Sequence, residues 1–224
     1  MIDLELHSHT HYSPDSLSKL HDVIANCRKI GIHKIAITDH YEIEGALRAY
    51  EMAPDLVIVG EEAMTDAGEL LCYFIHEVIP HGVTLEEAID RVHDQGGICG
   101  PSHPFDPRRS GIGGANIYNY AHKLDFVEVF NARTRDPRHN DEALAIATEL
   151  NLPKLVASDA HTLPETGISR VRLHRPFTSP QDFLAALREP ETELITHYST
   201  YLANIGSRIA RVAHGLGFDK KTTT

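Results

Sequence analysis

Ile2-Asp3-Leu4-Glu5-Leu6-His7-Ser8-His9-Thr10-His11-Tyr12-Ser13-Pro14-Asp15 is the stretch from which the rest of the chain is read. Ile2, Leu4 and Leu6 alternate with Asp3 and Glu5, which is the period of a short strand, and the polar run follows at its carboxyl end. Alternate residues of an extended segment share a face, so His7 and His9 can converge on one metal ion. Histidines around a surface turn would give the same letters, and the pair alone leaves both readings open.

The pattern recurs along the chain. Leu20, Val23, Ile24 and Cys27 follow a helical period that Gly31 stops, and His33–Ile37 then reads as a strand ending in Thr38-Asp39-His40. The apolar run Leu56–Val59 ends in Gly60-Glu61-Glu62, and Glu69–Ile75 reads as a strand after a turn at Gly68. Thr84-Leu85-Glu86-Glu87 has a capping-box pattern opening a helix that ends at Gly96-Gly97. Ile98-Cys99-Gly100 enters Ser102-His103-Pro104, and the glycine-bearing stretch from Arg108 to Asn119 reads as a loop with a short helix. Phe126–Phe130 predicts a strand followed by Asn131-Ala132-Arg133, and Ala143, Leu144, Ala147 and Leu150 predict a helix. Lys154–Ala157 feeds Ser158-Asp159-Ala160-His161, Ser179-Pro180 caps another helix, and a last helix is expected at about 200–217 before a frayed tail. Strand, loop and helix in repeated order predict an α/β fold. Polar residues at successive strand ends favour a closed barrel over an open doubly wound sheet, and the modest length favours a reduced or distorted one.

With 224 residues, 42% hydrophobic and 24% charged, the chain suits one sizeable core, and a single domain over 1–224 is expected. Its formal net charge of -11 argues against a broad basic surface, so no stable nucleic-acid partner is expected, although a local positive pocket for phosphate is compatible with it. Cys27, Cys72 and Cys99 are scattered and form no paired-thiol motif, the start is not signal-like, and no apolar run is long enough to cross a bilayer. A cytoplasmic protein with no membrane partner is the expectation, its oligomeric state left open.

The candidate metal residues are His7, His9, Asp15, His40, Glu62, Glu69, His103, Asp159 and His161. Imidazoles and carboxylates suit manganese, zinc or iron, and their number suggests a cluster. Paired ions activate water and stabilise charge on phosphate oxygens, which fits phosphoester hydrolysis but does not by itself separate it from amide hydrolysis. Arg108, Arg109 and Arg133 are candidates for binding phosphate, Arg133 also for supporting charge in the reaction, because a guanidinium makes two directed contacts to an anion. His161 is a further candidate for proton transfer if its ring is not fully engaged as a ligand.

The set, in this order, resembles the PHP family, named for its polymerase and histidinol phosphatase members. His7-x-His9 matches the opening motif with Asp15 downstream, Thr38-Asp39-His40 the next histidine motif, Glu62 the bridging carboxylate, His103-Pro104 the histidine-proline motif and Asp159-Ala160-His161 the last. The likeness covers the chain to about position 175. It implies a distorted seven-stranded β/α (TIM-like) barrel with two or three divalent metal ions. By the same likeness His7, His9, Glu62 and Asp159 would hold the first ion, Glu62 and His103 the second, and Asp15, His40 and His161 a third. Glu69 stands where the family often has histidine. The expected activity is hydrolysis of a small phosphomonoester by metal-activated water. The alternatives are a phosphodiesterase or nuclease acting on a nucleotide substrate, and a noncatalytic metal-binding scaffold.

Overall fold

In chain order the strands are β1 (Ile2–Glu5), β2 (Lys34–Ile37), β3 (Val57–Met64), β4 (Glu69–Tyr73), β5 (Ile98–Pro101), β6 (Val127–Asn131), β7 (Lys154–Ala157), β8 (Arg170–Leu173) and β9 (Glu193–Ile195). The helices are α1 (Leu20–Ile30), α2 (Glu44–Met52), α3 (Leu85–Asp94), α4 (Gly113–Tyr120), α5 (Pro137–Glu149) and α6 (Pro180–Leu187). These elements come from a computed structural model that describes residues 1–200 and, beyond them, Ala210, Val212 and Gly215. Apart from those three positions, the helix expected at about 200–217 and the tail lie outside the described residues.

The local signals act as the sequence leads one to expect. α1 buries Leu20, Val23, Ile24 and Cys27 and ends where Gly31, at φ 80°, turns its N–H back to the Cys27 carbonyl. Thr84 caps α3 by accepting the Glu87 N–H, Asp136 caps α5 by accepting the Arg138 N–H, and Ser179 caps α6 by accepting the Asp182 N–H. Pro137 and Pro180 open the latter two helices, where a missing N–H costs nothing.

Seven strands form one curled mixed sheet in the order β5-β4-β3-β2-β1-β8-β9, and β6 and β7 form a parallel pair beside it. β1, β2 and β3 are parallel neighbours, whereas β3-β4, β4-β5, β1-β8 and β8-β9 are antiparallel. The β6-β7 pair is tied into the curl from both sides. The Asp125 N–H donates to the Cys99 carbonyl at 2.9 Å, and the His9 N–H donates to the Ala160 carbonyl at 2.8 Å. The result is the distorted, TIM-like barrel of the PHP type, with helices on its outside.

Gly100 is what lets β5 approach the segment entering β6. A Cβ there would run into the carbonyl oxygen and ring of Phe126. Phe126 in turn stacks on Tyr73, with ring centroids 5.1 Å apart, inside a core that includes Leu4, Leu6, Leu70, Leu71 and Val127. A second apolar cluster packs α1 and α2 against β2 through Val23, Ile24, Ala46, Ala49, Ile35 and Ile37. These two clusters fix the strand ends from which the polar residues project. Among the described residues no helix is long and apolar enough to cross a membrane.

Candidate metal centre

One end of the curled sheet gathers the histidines and carboxylates. His7 and His9 follow β1, His40 follows β2, Glu62 lies within β3, His103 follows β5, and Asp159 and His161 follow β7. β4 runs antiparallel to β3, so its first residue, Glu69, sits at this same end, opposite Met64. Isolated parallel bridges, Ser8 to Ala160 and His40 to Glu62, carry the pairing beyond the strands and hold the loops in register. His103 and Asp159 have positive φ, 28° and 53°, in residues that carry a Cβ. Such conformations cost about 1–3 kcal/mol each, and they cluster at functional sites.

The donor atoms converge. His7 Nε2 and His9 Nε2 are 3.1 Å apart. Glu62 Oε2 lies 3.1 Å from the first and 3.3 Å from the second. Asp159 Oδ1 lies 3.7 and 3.4 Å from the same two nitrogens. An ion with bonds of about 2.1 Å in tetrahedral geometry separates its ligands by roughly 3.4 Å, so these four atoms have the spacing of one coordination shell. Glu62 Oε2 and Asp159 Oδ1 are buried and make no hydrogen bond, although both face this point. Buried carboxylate oxygens without a donor fit a cation.

Two further groups adjoin the first. Glu62 Oε1 is 3.0 Å from His103 Nε2, Glu69 Oε2 is 3.4 Å from the same nitrogen, and His40 Nδ1 is 3.3 Å from Glu62 Oε2. Asp15 Oδ2 is 3.1 Å from His161 Nε2 and 3.6 Å from His40 Nε2, and these three residues with His9 form a compact donor group. Two or three divalent ions fit this arrangement. All nine candidate ligands are therefore brought to one place, Glu69 included.

The electrostatics are those of closely packed, buried charge. Burial opposes charge on His7, but Glu62 and Glu128 push its pKa up to about 10. Burial also opposes charge on Asp15 and Glu62. Nevertheless Asp15 is held far below the ordinary carboxylate range by His161, and Glu62 well below it by His7 and His40. Glu69 is pushed up to about 8, by burial first and then by the neighbouring Glu62. Burial, with Arg109 adding to it, lowers His103 to about 4, which leaves its imidazole neutral and fit to ligate.

The arginines stand around this floor. Arg108, Arg109 and Arg133 all line a cavity of about 1070 Å³ above it, joined by Arg135. Arg109 pairs with Asp159 Oδ2 through Nη2 and donates from Nη1 to Asn131 Oδ1 at 2.9 Å. Asp159 is thus divided, with Oδ1 toward His7 and His9 and Oδ2 held by Arg109 and by Asn131 Nδ2 at 3.1 Å. His161 has both ring nitrogens engaged, Nε2 facing Asp15 and Nδ1 2.9 Å from the Asp159 carbonyl oxygen.

Glu128 and Glu5 carry structural weight that sequence reasoning missed. Glu128 Oε1 faces His7 Nδ1, and Glu5 is fully buried, accepting the N–H groups of His7 and Ser158 at 3.1 Å and of Gly167 at 2.7 Å. A lone carboxylate inside the apolar run Phe126–Phe130 was the available signal for Glu128. Glu61, next to the bridging position, points elsewhere and accepts the Ile79 N–H.

A curled β/α barrel that gathers His and carboxylate donors at its strand ends has the make-up of a divalent-metal centre. The chain belongs to the PHP family: residues 5–70 match the PHP domain and 137–192 the PHP-associated region. It is 33% identical over 211 residues to the uncharacterized protein MJ0417 of Methanocaldococcus jannaschii, covering 90% of this chain and 85% of that one. In fold it is similar to a protein of Bifidobacterium adolescentis described as a metal-dependent phosphoesterase. The TM-score is 0.60 at 17% identity, over 82% of this chain and 95% of that one. It is also similar to Endonuclease Q in complex with a 27-mer duplex bearing an abasic lesion, with TM-score 0.63 at 18% identity over 86% of this chain and 58% of that one.

That last likeness corrects one expectation. The net charge of -11 does not rule out a nucleic-acid partner, because a protein of the same fold is seen holding a DNA duplex at its active site. The physical reason is local. Part of the formal negative charge belongs to carboxylates in the donor cluster, and Arg108, Arg109, Arg133 and Arg135 line the cavity above it.

Proposed function

We propose that this protein hydrolyses phosphodiesters of nucleotide-containing substrates, ahead of the small phosphomonoester first expected from its sequence. The carrying observation is the cavity of about 1070 Å³ over the donor cluster, lined by Arg108, Arg109, Arg133 and Arg135. Pockets for small ligands run from about 300 to 1,000 Å³, so this one has room for groups on both sides of a phosphorus atom. The fold shared with a DNA-bound endonuclease supports the same reading.

His7, His9, Glu62 and Asp159 would hold a first ion, Glu62, Glu69 and His103 a second, and Asp15, His40 and His161 a third. Divalent ions supply water activation and stabilisation of the leaving oxygen when bound there. Arg109 binds a nonbridging phosphate oxygen from the side of Asp159, and Arg108 and Arg133 support the remaining negative charge. His161, engaged at both nitrogens, acts as a ligand and not as a proton carrier. Asn131 orients Arg109 and Asp159 together.

The test is hydrolysis by metal-depleted protein reloaded separately with manganese, zinc or iron, over dinucleotides and matched monoesters. Metal-restored diester cleavage that is absent in His9→Ala and Asp159→Ala is the expected result. Release of phosphate from monoesters alone would return the reading to a phosphatase, and no turnover with any metal would favour a binding scaffold.

A further inference from the structure

The cavity over the donor cluster is walled by several loops. Its arginines come from the loops after β5 and β6, which also place Asp106, Pro107, Asp136 and Pro137 on the wall, while Tyr41 and Met64, after β2 and at the end of β3, and Pro14, from the loop after β1, line the other side. Tyr41 is the Tyr, Phe or Trp side chain that lines it among the described residues, and it is 42% exposed. Its backbone stands at φ 63°, a conformation that a bulky residue rarely takes and that Gly, Asn or Asp would take more readily. Here that turn, directly after His40, brings a large ring to the cavity. Two neighbours hold the ring: His40, with centroids 5.4 Å apart and planes tilted by 31°, and His81, 4.9 Å away and near edge-on at 68°.

From this juxtaposition of a braced, exposed ring with the donor cluster at the cavity floor, we propose that Tyr41 is a stacking platform for the nucleobase of the substrate. The inference deepens the phosphodiester reading by assigning the part of the substrate that reading leaves undefined. An exposed aromatic ring offers a π-face to any base and makes no hydrogen-bond readout, so the subsite recognises nucleobases as a class and not one sequence.

The test compares binding of adenosine 5′-phosphonate and ribose 5-phosphonate to the manganese-loaded full chain by calorimetry. Both carry the same anion on a C–P bond that resists hydrolysis, and they differ by the base. The wild type is expected to prefer the adenosine compound by about tenfold. Tyr41→Asn, which suits the positive φ, should bring that ratio near one at unchanged metal content, and Tyr41→Phe should keep it. A ratio near one in the wild type, an undiminished ratio in Tyr41→Asn, or loss of the ratio in Tyr41→Phe as well would each overturn the subsite. Failure of the underlying reaction looks different. A Tyr41-dependent preference without diester turnover keeps the subsite and removes the hydrolysis reading, while diester turnover with a ratio near one does the reverse.

Discussion

Glu128 Oε1 lies 3.0 Å from His7 Nδ1, while its Oε2 accepts the backbone N–H of His103. One buried carboxylate therefore sets the ring of one candidate ligand and the loop of another. With Nδ1 held by Glu128, His7 turns Nε2 toward Glu62, His9 and Asp159, where a metal would take the place of the second proton that Glu62 and Glu128 favour on the ring.

Replacing Glu128 should weaken metal binding without emptying the core. Glu128→Gln keeps an acceptor and the volume, so metal affinity should fall modestly, whereas Glu128→Ala should lower it by about 10- to 100-fold. Competition with a chelator of known affinity measures this directly. Equal affinity in Glu128→Ala and wild type would show that the contact does not orient His7.

Arg109 gives a prediction that separates binding from folding. Its fork is shared between Asp159 and Asn131 at the rim of the cavity. Charge-assisted hydrogen bonds contribute about 1.5–3 kcal/mol, so Arg109→Ala should lower kcat/KM for a diester by roughly 10- to 100-fold. Arg109→Lys should recover only a small part, because an ammonium cannot make the paired contact. Steady-state kinetics on the metal-loaded protein distinguishes these outcomes, and full recovery by lysine would mean that charge alone matters.

The sequence made most of the candidate ligands legible because they follow apolar runs, and that local signal survives folding: His7 and His9 after Leu6, His40 after Ile37, Asp159 after Ala157, whereas Glu69 opens its run. It made the first six or seven strands legible for the same reason. β3 extends farther than its apolar run, through Glu61 and Glu62, because the antiparallel pairing with β4 continues to Met64. β8 and β9 were not legible because, although Arg170-Val171-Arg172-Leu173 alternates as a strand does, the segment is four residues long and its pairing depends on a partner 167 residues away. Glu5 misled in the other direction. Its alternation with Leu4 and Leu6 suggests a solvent face, yet the curl of the sheet encloses both faces and three backbone N–H groups satisfy the carboxylate.

Gly100 should resist substitution although it lies far in sequence from the residues it touches. Any Cβ there meets the Phe126 carbonyl, and backbone cannot move aside as a flexible side chain can. Gly100→Ala is expected to destabilise the fold by about 1–3 kcal/mol. Denaturant unfolding of metal-depleted protein reads this without a contribution from bound ions, and an unchanged midpoint would mean that β5 and the Phe126 segment can separate freely.

At the opposite end of β1 from His7, Asp3 receives Arg172 Nε at 2.6 Å and Arg170 Nε at 2.9 Å, a contact that joins β1 to β8. The Arg172 hydrogen bond, reinforced by Arg170 and opposed by partial burial, lowers the Asp3 pKa from its ordinary 3.8. A folded-state pKa below the unfolded one means that the unfolded chain binds the proton more readily. The stabilisation is therefore complete above about pH 4 and is lost as pH falls through the lowered folded-state value. Asp3→Asn removes that dependence. It should cost about 1 kcal/mol at neutral pH, and the deficit relative to wild type should shrink in acid below the ordinary carboxylate range. Thermal midpoints of both proteins across that window test the assignment, and a deficit that stays constant into acid would show that the arginines do not act through the Asp3 charge.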